Sequence, residues 1–497
     1  MSEKTKDERL LYSGFTKPRA DGWGGLTSSA TYGVLGAAAV IMTLTLLPFI
    51  PTLIKGVIIV SVVLAMIPLV VSFRGRSGWE VMLASRGRAS QRRSKEHLGR
   101  SGPGTAVEVG TPLPAIMADS EITEHGEAHR RFGLVRVKPA DHYTIVFRVW
   151  PQGREWVDQS QVNEWVSLYG HLIAQIGGSP DVVGITTTVE TLPESGQRVA
   201  QEFMRQIVNE QAPQIVRDVM WEAIFEVPST EVRPEARIAV TFAANSGLRR
   251  RDTVEQAADI ARRLPRMIDL IEQAGLPCRP MTQRELIAIT RRAMSPSDEL
   301  AVEKAMLSGE PLGLDWRDVG ATSTSDHHAY FAHDSARSVS WMLRDVSKAP
   351  VDSRVLDELL APRVDVPRKR VTFIYRPHTP AEATSIVDED LNFAERALTT
   401  GRKRASEHAQ VRLRSAMQAR QEQALGAGIT RFTILTTVTV PADGDLAKAE
   451  SMMRDLHTAS RLSMSVAHDQ QSVAFLAGLG IGLVLPAHTT ISERLAA

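Results

Sequence analysis

The hydrophobic pattern changes character along the chain. From Gly22 to Ile54 no residue is charged, and the densest apolar run is Tyr32–Ile50. Lys55 interrupts, and Gly56–Phe73 adds 18 uncharged residues rich in Val, Ile and Leu. At about 1.5 Å of rise per residue, such runs match a hydrocarbon core of about 30 Å. Pro48 and Pro51 beside Lys55 suit a tight turn. The pattern predicts a transmembrane helical hairpin over residues 31–73, after an N-terminal segment over 1–30. A cleaved signal peptide does not fit, because about 20 mostly polar residues come first and a second apolar run follows at once. The remaining alternative is a hairpin buried in a soluble core.

After Phe73 the pattern becomes mixed. A basic stretch over 74–104 carries Arg74, Arg76, Arg86, Arg88, Arg92 and Arg93, and ends in the breaker cluster Ser101–Gly104. Alternation then predicts strands at Phe132–Val137 and His142–Trp150, with a turn between them. Asp158 is placed to cap a helix ended by Gly177 and Gly178, and Val182–Thr191 is a β-branched strand. A helix over Gly196–Trp221, broken at Pro213, and a strand at Ala236–Ala243 follow. Apolar residues from Val254 to Ile271 recur at helical spacing, with Pro265 expected to kink or break that helix. Thr282 and Glu285 form a capping-box pattern. Ser295–Asp334 reads as loop-rich. A second strand–helix round then comprises Arg370–Arg376, Thr379–Leu398, Phe432–Val440 and Asp445–Leu462. We therefore expect an α/β or α+β region after the hairpin, with a first unit over 105–300, a loop-rich connector with a short helix over 301–369, and a second unit over 370–497. Residues 401–423 are nearly all polar, with Arg402, Lys403, Arg404, Arg412, Arg414 and Arg420. They read as a solvated helical arm or a partner's docking site.

Composition narrows the classes. The 497 residues are 43% hydrophobic and 23% charged, as in globular proteins. With 58 basic and 57 acidic residues, the net charge of +1 does not suit a general nucleic-acid coat. A single cysteine, Cys278, excludes an internal disulfide and a Cys-rich zinc site. It lies between Pro277 and Pro280 and reads as a buried structural thiol. Lys4, Lys6, Arg9, Lys17 and Arg19 precede the hairpin, and the basic stretch follows it. Positive charge on both outer flanks puts both termini in the cytoplasm, in a two-pass cell-membrane protein. The arginines after Phe73 suit anionic lipid headgroups. With Trp79 its only aromatic, that stretch lacks a stacking platform for nucleic acid.

No catalytic constellation stands out, and no cofactor is implied. The dipeptide Gly-Lys does not occur, so no Walker phosphate loop can form. Gly478-Leu-Gly-Ile-Gly482 reads as close packing or a helix cap. Asp326–Asp334 is the conspicuous polar cluster. His328, His333 and Asp334 could ligate zinc, which would suit a membrane-tethered metal-dependent hydrolase. The plainer reading is a surface loop with Asp334 capping a helix over Ser335–Leu343. Trp165, Trp221, Trp316 and Trp341 read as core.

The strings His333-Asp-Ser-Ala-Arg-Ser-Val-Ser-Trp341 and Arg368-Lys-Arg-Val-Thr-Phe-Ile-Tyr-Arg-Pro-His378 resemble a family of actinobacterial membrane proteins from conjugation or type IV-like secretion loci. Phe132–Val137 and Gln471–Gly480 share in the match, which covers nearly the whole chain. More remotely, the soluble part resembles the amino-terminal domain of the conjugation ATPase, where a Gln-x-x-Ala-Phe element, here Gln471–Phe475, precedes the motor. The hairpin is similar to the small two-helix subunit of those machines. The resemblance implies a non-enzymatic inner-membrane component that docks a separate motor ATPase to the channel and contacts other channel subunits. Homo-oligomerisation is expected with it, since such machines are rings. A type VII secretion membrane component has a similar layout and is the alternative.

Overall fold

The computed structural model describes residues 10–12, 28–47, 51–70, 72–73, 76–95, 97–102, 104–105, 107, 109–127, 130–153, 157–197, 213–226, 232–246, 249–346, 350–399, 407–424 and 428–488. The chain divides into two compact units. One comprises Thr16–Leu98 with Leu485–Ala497, and the other Met1–Phe15 with Gly99–Val484.

In the smaller unit, helices α1 (Ser28–Leu46) and α2 (Thr52–Val70) pack on each other. Their apolar side chains point outward; Tyr32, Leu46 and Leu53 are 70%, 71% and 78% exposed. Each helix has 19 residues, roughly 28 Å at about 1.5 Å per residue, just under a core of about 30 Å. Among the described residues no helix is long and apolar enough to cross a membrane. The expected helix pair is present, but the structure does not support its reading as a transmembrane hairpin. Its boundary also moves. Lys55 lies in the first turn of α2, its N–H bonded to the Pro51 carbonyl at 3.1 Å, and not in the turn between helices. The basic stretch contains a third helix, α3 (Gly78–Arg93), on which Arg86, Arg92 and Arg93 are exposed. Arg74 lies outside the described residues, as do the side chains of Arg76 and Arg88.

The larger unit is a mixed α/β domain built on one large antiparallel sheet. Its first half runs β1 (Ser120–His125), β2 (Phe132–Val137), β3 (His142–Val149), α4 (Gln159–Gly177), β4 (Val182–Pro193), α5 (Gln214–Glu226), β5 (Val232–Ala243), α6 (Thr253–Gln273), β6 (Cys278–Pro280) and α7 (Gln283–Met294). Helix α8 (Glu299–Ser308) leads to the second half. There follow β7 (Ser323–Asp326), β8 (Phe331–His333), β9 (Ala336–Asp345), α9 (Asp357–Leu360), β10 (Lys369–Pro377), α10 (Pro380–Thr399), α11 (Glu407–Ala424), β11 (Thr430–Pro441), α12 (Leu446–Ala459), β12 (Ser463–Val466) and α13 (Gln471–Gly478).

The spatial order is β7-β8-β9-β11-β10-β4-β5-β3-β2-β1, with the short strand Leu98–Arg100 outside β7. Strand β6 pairs with β3 and β12 with β9. The two halves therefore repeat one arrangement, a hairpin, a crossover to a central strand, and a return strand between them. They meet where β4 pairs with β10, with Thr188 opposite Thr372. Period-2 alternation gives the sheet two unlike faces. On one, Ile145, Phe147, Ile238, Val240 and Phe242 form an apolar core with α4 and α6, and Val339, Trp341, Ile434 and Val438 form a second with α12. The other face carries Thr144, Thr188, Glu190, Arg237, Thr241, Arg370, Thr372, Thr437 and Ser340, all buried.

Several expected elements form as read. Thr282 and Glu285 make the full capping box of α7. Asp158 sits at the start of α4 but makes no side-chain cap bond. Others differ. Helix α6 continues through Pro265. The stretch read as loop-rich holds α8, β7 and β8. The helix expected over Ser335–Leu343 is instead strand β9, because Val339 and Trp341 alternate with Ser338 and Ser340 across the sheet. Asp334 is not a helix cap. It occupies a two-residue hairpin turn at φ 44, a conformation Asp tolerates. Residues 198–212, part of the expected Gly196–Trp221 helix, lie outside the described residues.

Candidate functional site

The polar face of the sheet is the chemically densest part of the molecule. Glu190 on β4, 1% exposed, lies at the seam between halves. It accepts from Arg237 on β5 at 2.8 Å, and from the Nε and Nη2 of Arg370 on β10 at 3.1 and 2.9 Å. Arg292 of α7 approaches it at 3.9 Å and also pairs with Glu235. Outward from there, Arg148 reaches Glu235 and Glu285, Arg233 pairs with Glu303 at 2.8 Å, and Arg368 pairs with Glu299. Burial alone would push Glu190 up, but Arg370, Arg237 and Arg292 outweigh it and hold its carboxyl far below the carboxylate range. Glu235 is likewise pulled down to about 2 against its burial, chiefly by Arg292. Burial dominates at Glu299, which is pushed up despite Arg368.

A cavity of about 150 Å³ separates α7 and α8 from the sheet, lined by Arg233, Arg292, Glu235, Glu299 and Glu303. Carboxylates and guanidiniums here pair chiefly with one another, across strands and between the sheet and helices α7 and α8.

The strings that carry the resemblance build this layer. Arg368, Lys369 and Arg370 are all buried; Lys369 reaches the Ala361 carbonyl at 2.5 Å on the opposite face. Burial lowers the Lys369 ammonium to about 8. Gln471 is fully buried and pins β9: its Oε1 accepts from Ser340 N at 2.8 Å and its Nε2 donates to the Ser340 and Ala467 carbonyls at 3.1 Å. Phe475 packs beneath Arg370, whose guanidinium carbon lies 5.2 Å from the ring centroid. The glycine-rich run crosses the threonines. Gly480 and Gly482 have φ of 67 and 99, and a Cβ on Gly482 would lie 1.8 Å from Thr144 Oγ1. The run is a close-packed crossing, as its sequence suggested, and Arg237 Nε donates to the Leu479 carbonyl within it at 2.8 Å.

The His/Asp cluster is dispersed by the fold. His333 is fully buried, its Nδ1 2.7 Å from the Met294 carbonyl and its Nε2 2.8 Å from Ser338 Oγ. Burial holds it neutral, near a pKa of about 4. Asp334 Oδ1 accepts from Ser323 N. His328, about half exposed, sits 2.5 Å from Asp469, a partner 141 residues away, and its ring stacks on His468. Among the described residues no group of three or more His, Cys, Asp or Glu side chains could hold a metal ion. Cys278 is half-buried against the first core; burial, with the Glu272 charge, pushes its thiol up to about 12. Trp316 and Trp341 are buried and Trp165 is half-buried, while the Trp221 side chain lies outside the described residues.

The polar arm forms as a helical hairpin. Helices α10 and α11 pack together, and α10 buries Ala383, Val387, Leu391 and Ala394 along one stripe. Arg414 and Arg420 are exposed, as is Met417, while residues 401–406 lie outside the described residues.

Sequence reading missed Glu190, Arg237, Glu235 and Arg292 as a set. The available signal was a lone charge in each of two β-branched runs, on the face shared with threonines. No family model matches the chain, and no curated protein matches it.

Proposed function

We propose that this chain is a non-enzymatic, membrane-associated component of a type IV-like transfer machine, which docks a separate motor ATPase to the membrane channel. One observation carries the reading: an outwardly apolar helix pair and an arginine-bearing helical hairpin belong to one chain. Helices α1 and α2 would lie in the cell membrane as a two-pass hairpin with both termini cytoplasmic. Their roughly 28 Å would be accommodated by local thinning or by snorkelling of flanking residues. Exposed Arg86, Arg92 and Arg93 suit anionic headgroups beside them. The α10–α11 arm supplies a surface for the motor, and the absent Gly-Lys dipeptide agrees with a motor on another chain.

The test is purification of the full-length protein from its own membranes in mild detergent, with mass spectrometry of what accompanies it. Recovery of a separate P-loop ATPase with conjugation subunits is the expected result. Type VII components in its place would move the scaffold to that apparatus. A protein extracted by alkaline carbonate, and recovered folded but alone, would overturn the reading.

A further inference from the structure

A cleft of about 640 Å³ opens between α4 and α6, within the size range of small-ligand sites. It has no role in the reading above. Its floor is apolar, made by Ile176, Val182, Phe242 and Met267, all buried. Its rim is cationic: Arg262 and Arg263 share one turn of α6 and Arg266 follows on the next, with His171 and Gln175 facing them from α4. Among the described residues no carboxylate lines it.

The arginines are unequally committed. Arg263 is held by Asp181 at 2.9 Å and Asp259 at 2.6 Å, with its guanidinium over the Phe242 ring. Asp259 also takes Arg262 at 2.6 Å and Arg251 at 2.9 Å, while Arg266 donates to Gln175 at 2.8 Å. Three arginines, Arg251, Arg262 and Arg263, thus share two aspartates, while Arg266 is held by a neutral amide. Each guanidinium has five N–H donors, so Arg262 and Arg266 keep several free for a ligand. Arg263 lies over the floor at Phe242. The carboxyl end of α4 also faces the cleft, but its Ala174 and Ile176 carbonyls already accept from Gly178 N and Ser179 N.

We propose that this cleft binds a phosphate ester, with the phosphate on Arg262 and Arg266 and an apolar or aromatic body on the Phe242–Met267 floor. Planar guanidiniums match phosphate oxygens in pairs, and the rim is net cationic. A concave site of this volume with an apolar floor favours a small molecule over an extended acidic chain.

The experiment titrates full-length protein in detergent with ATP and, separately, with soluble dihexanoyl phosphatidic acid, by calorimetry at about 0.15 M salt. Saturable binding of ATP would identify a soluble ester, and of the short-chain lipid a headgroup. Either should weaken about tenfold or more in Arg262→Ala/Arg266→Ala, whose exposed positions leave folding intact, and recover in part with Arg262→Lys/Arg266→Lys. No saturable binding of either probe would overturn the proposal. So would binding that the double alanine variant leaves unchanged, or polyglutamate binding more tightly than both.

Discussion

The two halves of the sheet share a strand order yet are covered differently. In the first, β3, β5 and β4 lie under the long helices α4 and α6, of 19 and 21 residues. In the second, the equivalent strands β9 and β11 lie under α12, β10 packs in part against α4 through Tyr375, and α9 has only four residues. The first half turns its length into a cleft between two helices. The second turns its length into the α10–α11 hairpin, inserted between β10 and β11 as α5 is between β4 and β5. One framework thus supports two kinds of exposed feature, because the sheet and its seam carry the stability while the crossovers vary.

The seam is the sharpest place to break that comparison. Glu190→Ala leaves Arg237 and Arg370 buried without their carboxylate, and should cost about 3–5 kcal/mol in denaturant unfolding. A loss below about 1 kcal/mol would show that the seam does not tie the halves. Phe475→Ala removes a fully buried ring beneath Arg370 and should cost about 3–5 kcal/mol as well. If the halves are one cooperative unit, both variants keep a single transition.

Acid should loosen the same layer. Glu235 has a folded-state pKa of about 2, against 4.5 for the ordinary carboxyl, so its stabilisation is full above about pH 4.5 and is lost as pH falls toward 2. His333 acts in the same direction at higher pH. With its pKa lowered from 6.5 to about 4, the unfolded chain binds more protons between those values, and stability falls as pH drops through that window. Urea midpoints from pH 7 to 3 should fall throughout. His333→Phe should flatten the upper part of the curve, and an unflattened curve would remove His333 from the account.

Smaller effects separate framework from exposed features. Gly482→Ala forces a Cβ onto Thr144 at positive φ and should cost about 1–3 kcal/mol. Arg414→Glu with Arg420→Glu changes only exposed charges on the arm, so stability should stay within about 0.5 kcal/mol. Under the proposed docking role the same variant loses the co-purifying ATPase, and retention of the ATPase would exclude those arginines from the contact.

Local patterns made most strands and helices legible. The β-branched run from Val182 and the Thr282/Glu285 pair specify their own structure whatever surrounds them. The strand β9 was misread because Asp334 and Ser335 resemble a helix start, while the alternation of Val339 and Trp341 with serines was the stronger signal. The charged layer was hidden for another reason. Arg237 and Glu190 are 47 residues apart, and Arg370 and Glu190 are 180 apart. Nothing local says that lone charges in separate strands will face each other. The cleft was invisible likewise, since it exists only after α4 and α6 pack side by side. In the His cluster, proximity in sequence does not become convergence: His333 turns into the core while His328 turns toward Asp469.

The crossing of the glycine-rich run over the threonines sets an order of events during synthesis. Leu479 closes on Arg237 across 242 residues, and Gly480 and Gly482 seat on Thr188 and Thr144 of the first half. A ribosome delivers β4, β5 and β10 long before it delivers this segment. Without it, Arg237 Nε, Thr188 and Thr144 lose the segment that closes over them, although Arg292 of α7 already reaches Glu190 on the same face. Contacts of such sequence separation form slowly, and what this one covers is a layer of threonine, arginine and glutamate rather than apolar surface. A face built from Thr, Arg and Glu is suited to waiting, because it can be hydrated first and covered last.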